Sequence, residues 1–273
     1  MTRKLFVAFV LMLSLIGCAH RHVDLSADPQ TAVERARARS LPFAMQASYT
    51  VHIRSAKGVA TTRGLMILSR PASFRVEVMG AMGTPLVSAI SDGRGLAVYN
   101  GQIPAFYRTD NAVAALAALS GGAVRLDDAL DLLSGTLPLR DAPVLKAETT
   151  EAGVAITLQG REDVLVDALI DPDSGLMRTV GVRRGDEPPL LSLTYGEAVK
   201  VGKTKMPRSV SLDVPSLDLS VEITVSGWEE LGVVPDAFST AAPGSMTALD
   251  LVAAVNEAIE KRSAAQQDAR PEP

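Results

Sequence analysis

Cysteine is nearly absent from this chain: it occurs once, at Cys18, so no disulfide can form within one copy. Histidine is almost as scarce, with only His20, His22 and His52. These residues supply no Cys/His zinc set. A Ser-His-Asp triad would rest on His52 alone, without a nucleophile-elbow sequence. Nor is there a recognisable Gly-rich phosphate loop. Aromatic residues make up 4% of the chain and leave few stacking platforms. The formal charge of −4, with both signs interspersed, argues against a nucleic-acid partner. Asp171-Pro172-Asp173-Ser174-Gly175 opens like a calcium loop, but its glycine falls one place early and the twelfth position is Val182, so it reads as a turn. Asp127, Asp128 and Asp131 read as a solvated helix start rather than catalytic carboxylates. The chain is therefore not expected to be an enzyme, and no metal or dissociable cofactor is expected. Its core must come from Val, Leu, Ile, Ala and Met.

What is present begins at the N-terminus. Arg3 and Lys4 precede an apolar run from Leu5 to Ile16. That run is shorter than the about 20 residues a spanning helix needs, and it fits the apolar core of a signal peptide. Leu15-Ile16-Gly17-Cys18 resembles the lipobox of bacterial lipoproteins. The resemblance implies cleavage before Cys18 and covalent diacylglycerol and an acyl chain on that cysteine, hence a lipid-anchored protein. More than one chain is needed for firm anchoring, at about 0.8 kcal/mol per buried methylene. Ala19, in place of an aspartate, implies by the same resemblance an outer-membrane, periplasm-facing location.

Residues 18–29 are polar and read as a tether, in which His20 and His22 are solvated. A short helix follows from Thr31 to about Ala38, opened by Pro29. The pattern then changes to period two in Tyr49 to Arg54, Ser73 to Val78, Val154 to Leu158 and Leu217 to Val225. Turn residues separate these runs at Asp92-Gly93, Asn100-Gly101, Ala152-Gly153, Asp171 to Gly175 and Arg184 to Pro188. About ten strands joined by short connections predict a mainly β (α+β) chain with an antiparallel meander. Two apolar helices interrupt it: Asn111 to Leu119, with Asp110 as N-cap, and Leu126 to Leu133, ended by Leu137-Pro138. Residues 244–262 contain a last helix, Ala248 to Lys261, and residues 263–273 read as disordered.

Between Met79 and Leu86 the chain carries Gly80-Ala81-Met82-Gly83-Thr84-Pro85, a hairpin tip without charge. Water-facing loops are usually polar, so an apolar tip points to contact with lipid or a partner, or to Met82 folding back as core.

The lipobox, the strands from Phe74 to Asp92, the helices at 111–133 and the strand-rich second half together resemble LolB, the outer-membrane receptor for lipoproteins whose soluble carrier is LolA. Phe74 to Gly83 matches the LolB strand and protruding loop, and Val234 to Ser239 resembles the end of LolA-like domains. The resemblance spans roughly residues 43 to 243 and rests on pattern. It implies that 30–243 form an open antiparallel half-barrel whose helices cover an apolar cavity. Phe74, Val76, Val78, Ile156, Leu158, Leu219, Val221, Ile223 and Val225 become candidate acyl-chain contacts, although periodicity alone fits a packed core equally. Leu116, Leu119, Leu130 and Leu133 become lid residues, and Gly80, Ala81, Met82 and Gly83 a membrane-insertion loop with Met82 in place of the family's leucine. The implied partners are a periplasmic LolA-like carrier, lipoprotein cargo and bound acyl lipid, with the chain a monomer. Two alternatives stay open: an envelope assembly lipoprotein that binds a protein partner, and a lipid carrier of another pathway.

Overall fold

Asp28 opens the first element. Its carboxylate accepts hydrogen bonds from the Gln30 and Thr31 amides, and Pro29 follows at the first helical position, where its missing N–H costs nothing. Helix α1 (Pro29–Ala38) buries Ala32, Val33 and Ala36 on one face. The computed structural model describes residues 28–56, 58–103, 105–115, 126–160, 163–232, 237–242, 244 and 246–268. Cys18, the tether histidines, Leu116 and Leu119 lie outside the described residues.

Among the described residues sixteen strands follow, more than the count expected from turn chemistry: β1 (Ala44–Ser55), β2 (Gly58–Ser69), β3 (Ser73–Met79), β4 (Pro85–Asp92), β5 (Leu96–Asn100), β6 (Ala105–Thr109), β7 (Val144–Thr150), β8 (Gly153–Gln159), β9 (Val164–Ile170), β10 (Met177–Arg184), β11 (Leu191–Tyr195), β12 (Ala198–Val201), β13 (Thr204–Pro207), β14 (Ser209–Val214), β15 (Leu219–Glu230) and β16 (Ala248–Asp250). Fourteen of them form one open sheet in the order β16-β6-β5-β4-β3-β2-β1-β15-β14-β11-β10-β9-β8-β7, while β12 and β13 make a separate hairpin. The N-terminal meander β1–β6 and the later one from β7 meet where β1 pairs with β15, from Met45↔Glu230 to Arg54↔Ser220. That junction joins the two halves into one curled, mainly β half-barrel. Among the described strands only β16 is parallel to its neighbour, pairing Leu249 with Tyr107.

Helix α2 (Leu126–Ser134) lies against the concave face, and helix α3 (Leu251–Asp268) follows β16. Two differences from expectation have local causes. The helical turn at residues 112–115 is capped by Asn111, whose side chain accepts from the Ala114 amide at 3.0 Å, because Asp110 is engaged by Arg108 at 2.6 Å. The last helix begins at Leu251 rather than Ala248, since the three preceding residues are taken up by β16 on the edge of β6, and it runs on to Asp268, past the start expected for the tail.

The concave face carries two apolar clusters. One joins α1 to β8–β11 through Val33, Val154, Ile156, Leu158, Ile170 and Val180, and takes in Leu132 and Leu137. The other joins β1–β3 through Met45, Tyr49, Met66, Leu68 and Phe74, and takes in Leu130 and Ala115. Helix α2 thus wedges between them, with Leu130 and Leu133 on one side and Leu132 on the other.

Candidate functional site

The antiparallel registers sort the strand connections onto two rims. The turns β2–β3 (70–72), β4–β5 (93–95) and β9–β10 (171–176) share one rim, and both helices are stitched to it. Arg35 of α1 donates to the Pro172 carbonyl, and Arg39 to that of Ser174 at 3.1 Å. From α2, the Leu132 carbonyl accepts from the buried Tyr195 hydroxyl at 2.7 Å, a phenol whose proton affinity burial raises. The turns β1–β2, β3–β4, β5–β6, β8–β9, β10–β11 and β14–β15 share the opposite rim, where Arg37 of α1 donates to the Ala142 carbonyl ahead of β7 at 2.6 Å, and where among the described residues no such bond ties a helix to the three turns of β1–β6.

Burial is graded between these rims. On β1, Met45, Ala47, Tyr49 and Val51 are buried and Ile53 is half-buried. On β3, Phe74 is buried, whereas Val76 and Val78 are half-buried. On β15, Val225 is buried, whereas Ile223, Val221 and Leu219 are half-buried. Leu212 and Val214 on β14, and Ala89 on β4, continue the same band. Among the described residues the result is an apolar trough under β3, β2, β1, β15 and β14, covered by helices at one end and open at the other. All nine candidate contacts share this concave face by register, but they divide in two. Phe74, Ile156, Leu158 and Val225 are packed in core, and Val76, Val78, Leu219, Val221 and Ile223 line the half-exposed part. Leu130 is buried and Leu133 half-buried against the β1–β3 cluster.

At the mouth stands the β3–β4 loop. The Gly80 amide donates to the Thr84 carbonyl at 2.8 Å and the Gly83 amide to that of Gly80 at 2.9 Å. Gly83 has φ +74, a conformation that side-chain-bearing residues rarely adopt. This tight turn holds Met82 away from the rim with 91% of its surface exposed, so it does not fold back as core.

No family model and no curated protein matches the chain. Solved structures do. A domain from Vibrio parahaemolyticus named for outer membrane lipoprotein sorting superposes with a TM-score of 0.54 at 12% identity, over 76% of this chain and 93% of its own. A DUF1329 family protein from Desulfovibrio piger gives 0.55 at 10% identity, covering 78% and 96%. A LolA-superfamily protein from Nitrosomonas europaea gives 0.52 at 12%, covering 77% and 97%. The fold is the LolA-like half-barrel. At these identities the half-barrel itself, and no particular residue, is what the chains share.

One expectation is overturned within this half-barrel. Asp128 and Asp131 are not a solvated helix start: they are 6% and 8% exposed. Asp131 accepts from Arg140 at 2.6 Å, Thr136 at 2.8 Å and Arg70 at 3.2 Å, and Asp128 accepts from the Leu139 amide at 2.9 Å. The partners lie 61 residues before and 9 after Asp131, which local pattern does not reveal. With Arg70, Arg140, Gln159 and Gly160 the two aspartates line a cavity of 360 Å³ of mixed polarity, whose buried charges make it a poor host for an alkyl chain. His52 is exposed, 2.8 Å from the Thr61 hydroxyl across the β1–β2 pair. The 171–175 segment is indeed a turn, with Asp171 accepting from the Ser174 amide and hydroxyl, each at 2.9 Å.

Sequence reading also passed over Gly64. It sits opposite Tyr49 on β2, and the Tyr49 ring lies across it. A glycine inside an alternating strand was the available signal, since it marks a close approach.

Proposed function

We propose that this chain is a LolB-like, lipid-anchored receptor of the outer membrane, accepting lipoproteins from a periplasmic LolA-like carrier and releasing them into the bilayer by acyl-chain transfer. The observation that carries this reading is the graded trough: its half-buried apolar residues run toward the one rim where Met82 projects bare into solvent. An alkyl chain laid against Val78, Ile53, Val221 and Ile223 would cover surface now half in water, at about 25 cal/mol per Å². The chemistry is burial alone, with no bond made or broken in the cargo. Cys18 would hold the trough at the membrane, and residues 18–29 would give it reach. The half-barrel fold it shares with the Vibrio and Nitrosomonas proteins supports the same reading.

Two measurements test it. Mass spectrometry of purified Cys18→Ala protein is expected to find co-purified acyl lipid. In cells, Met82→Glu is expected to leave the protein's own anchoring intact and to stop delivery of other lipoproteins to the outer membrane. Delivery unchanged by Met82→Glu, together with no bound lipid, would favour an assembly lipoprotein with a protein partner.

A further inference from the structure

The open rim is not uniform. Its hairpins on the β1–β6 side each end in a bare apolar side chain: Val59 at the β1–β2 tip is 72% exposed, Met82 at β3–β4 is 91% exposed, and Ile103 at β5–β6 is 70% exposed. These tips close every second strand pair. With strands spaced about 4.8 Å apart, three consecutive tips make a row about 20 Å wide. No acidic residue occurs in the sequence of any of the three hairpin ends, from Ala56 to Arg63, Met79 to Val87 and Tyr99 to Phe106. Arg54 and Arg63, both exposed, flank the row on β1 and β2. Across the β1–β15 junction the same rim changes character: the turns of the second half carry charges of both signs, with Arg183 and Arg184 beside the exposed Asp186 and Glu187, and exposed Asp218 adds a further carboxylate.

We infer that the three hairpin tips dock together on the surface of an anionic bilayer, with Ile103 and Val59 entering it beside Met82, while the mixed-charge half of the rim stays clear of it. The shape favours lipid over a protein. The three side chains project singly from separate tips and form no groove, and a fluid interface accepts separate points of insertion. The charge pattern favours an anionic surface: the charges flanking the apolar tips are basic, whereas in the other half carboxylates offset the arginines. Three small insertions acting at once hold an orientation that one loop would not. The consequence is that the mouth of the trough is set against the membrane at a fixed tilt. This docking goes beyond the Met82 loop and stands whether or not the trough carries cargo.

The test uses the full chain with Cys18→Ala, so that an added cysteine is the one thiol. Single variants Val59→Cys, Met82→Cys, Ile103→Cys and Glu187→Cys are labelled with an environment-sensitive fluorophore. They are mixed with vesicles of phosphatidylethanolamine and phosphatidylglycerol. Labels at 59, 82 and 103 are expected to shift to the blue and to be quenched by lipids spin-labelled in the acyl chain, and the label at 187 to remain in water. A response at 82 alone, at all four positions or at none would overturn the inference, as would an equal response with purely zwitterionic phosphatidylcholine vesicles. Labels that shift in a protein that neither binds nor transfers acyl lipid would sink the receptor reading and leave the docking intact.

Discussion

The Tyr49 hydroxyl donates to the Glu77 carbonyl oxygen at 2.8 Å, reaching from β1 over β2 to β3. It can do so only because Gly64 lies between them: a Cβ there would overlap both the Tyr49 ring and the Glu77 carbonyl. Burial, and next the Glu77 charge, push the phenol up to about 12, so it stays protonated and a donor across the physiological range. On its other face Glu77 is only 4% exposed and accepts from Arg75 and Ser88. This tie fixes the curvature of the strands that carry the Met82 loop. Gly64→Ala is expected to lower stability by about 1–3 kcal/mol, the usual cost of overpacking. Urea unfolding would measure it, and a value near zero would mean that the strands move apart freely.

Asp131 gathers Arg70 from the β2–β3 turn and Arg140 from the segment after α2, so it pins the cover to the closed rim. Both guanidiniums keep some contact with water, at 33% and 21% exposure, which lowers the worth of the pairs below that of a fully buried set. Asp131→Asn is expected to cost about 1–3 kcal/mol and to speed hydrogen exchange in α2 more than in β8–β10. Uniform acceleration across the molecule would argue against a local hinge.

Asp171 sets a pH dependence. Burial pushes its carboxyl up, but the Arg178 guanidinium and the Ser174 donors outweigh it and hold it at about 2, below the ordinary 3.8. A folded value below the unfolded one means that the unfolded chain takes up the proton first as pH falls. The stabilisation is therefore fully present above about pH 4 and is lost as the pH drops toward 2, to the extent of about 2 kcal/mol. Asp171→Asn should remove most of this dependence, so that parent and variant differ at neutral pH and converge in strong acid. Parallel curves across that range would show that the ion pair contributes nothing.

The trough predicts a contrast between two residues of one face. Leu158 is fully buried, and Leu158→Ala should cost about 2–5 kcal/mol by leaving a cavity. Val221 is half-buried, and Val221→Ala should cost less than about 1.5 kcal/mol while weakening the binding of a fluorescent fatty acid. If both variants lose stability equally and bind the probe as before, the concave face is packed core from rim to rim.

Much of this architecture is readable from local pattern, and particular residues show where the reading stops. Alternation placed Phe74, Val76 and Val78 on one face, and the register puts that face inside the curl. The same alternation did not separate Leu158, fully buried in the cluster that α1 joins, from Val221 near the mouth, because a period of two reports a face and says nothing of what covers it. The Asp128 and Asp131 pair was misread for a similar reason. An acidic stretch at a helix start is ordinarily solvated, and here arginines brought from elsewhere in the chain make it a buried hub. Ile103 and Val59 drew no notice as isolated apolar residues beside turns; only strand order sets them in a row with Met82.

By itself the sequence determined the elements of local origin: the lipobox-like N-terminus, the strands and their turns, and the bare loop of Gly80 to Gly83. These depend on neighbours within a few residues, through side-chain period, backbone freedom and capping. Tertiary structure alone decided which end of the β1–β6 half is covered and which is bare, and that the bare rim is apolar in its first half and charged in its second. Those properties arise when β1 pairs with β15, joining residues 45 and 230, and no local pattern records a contact of that span.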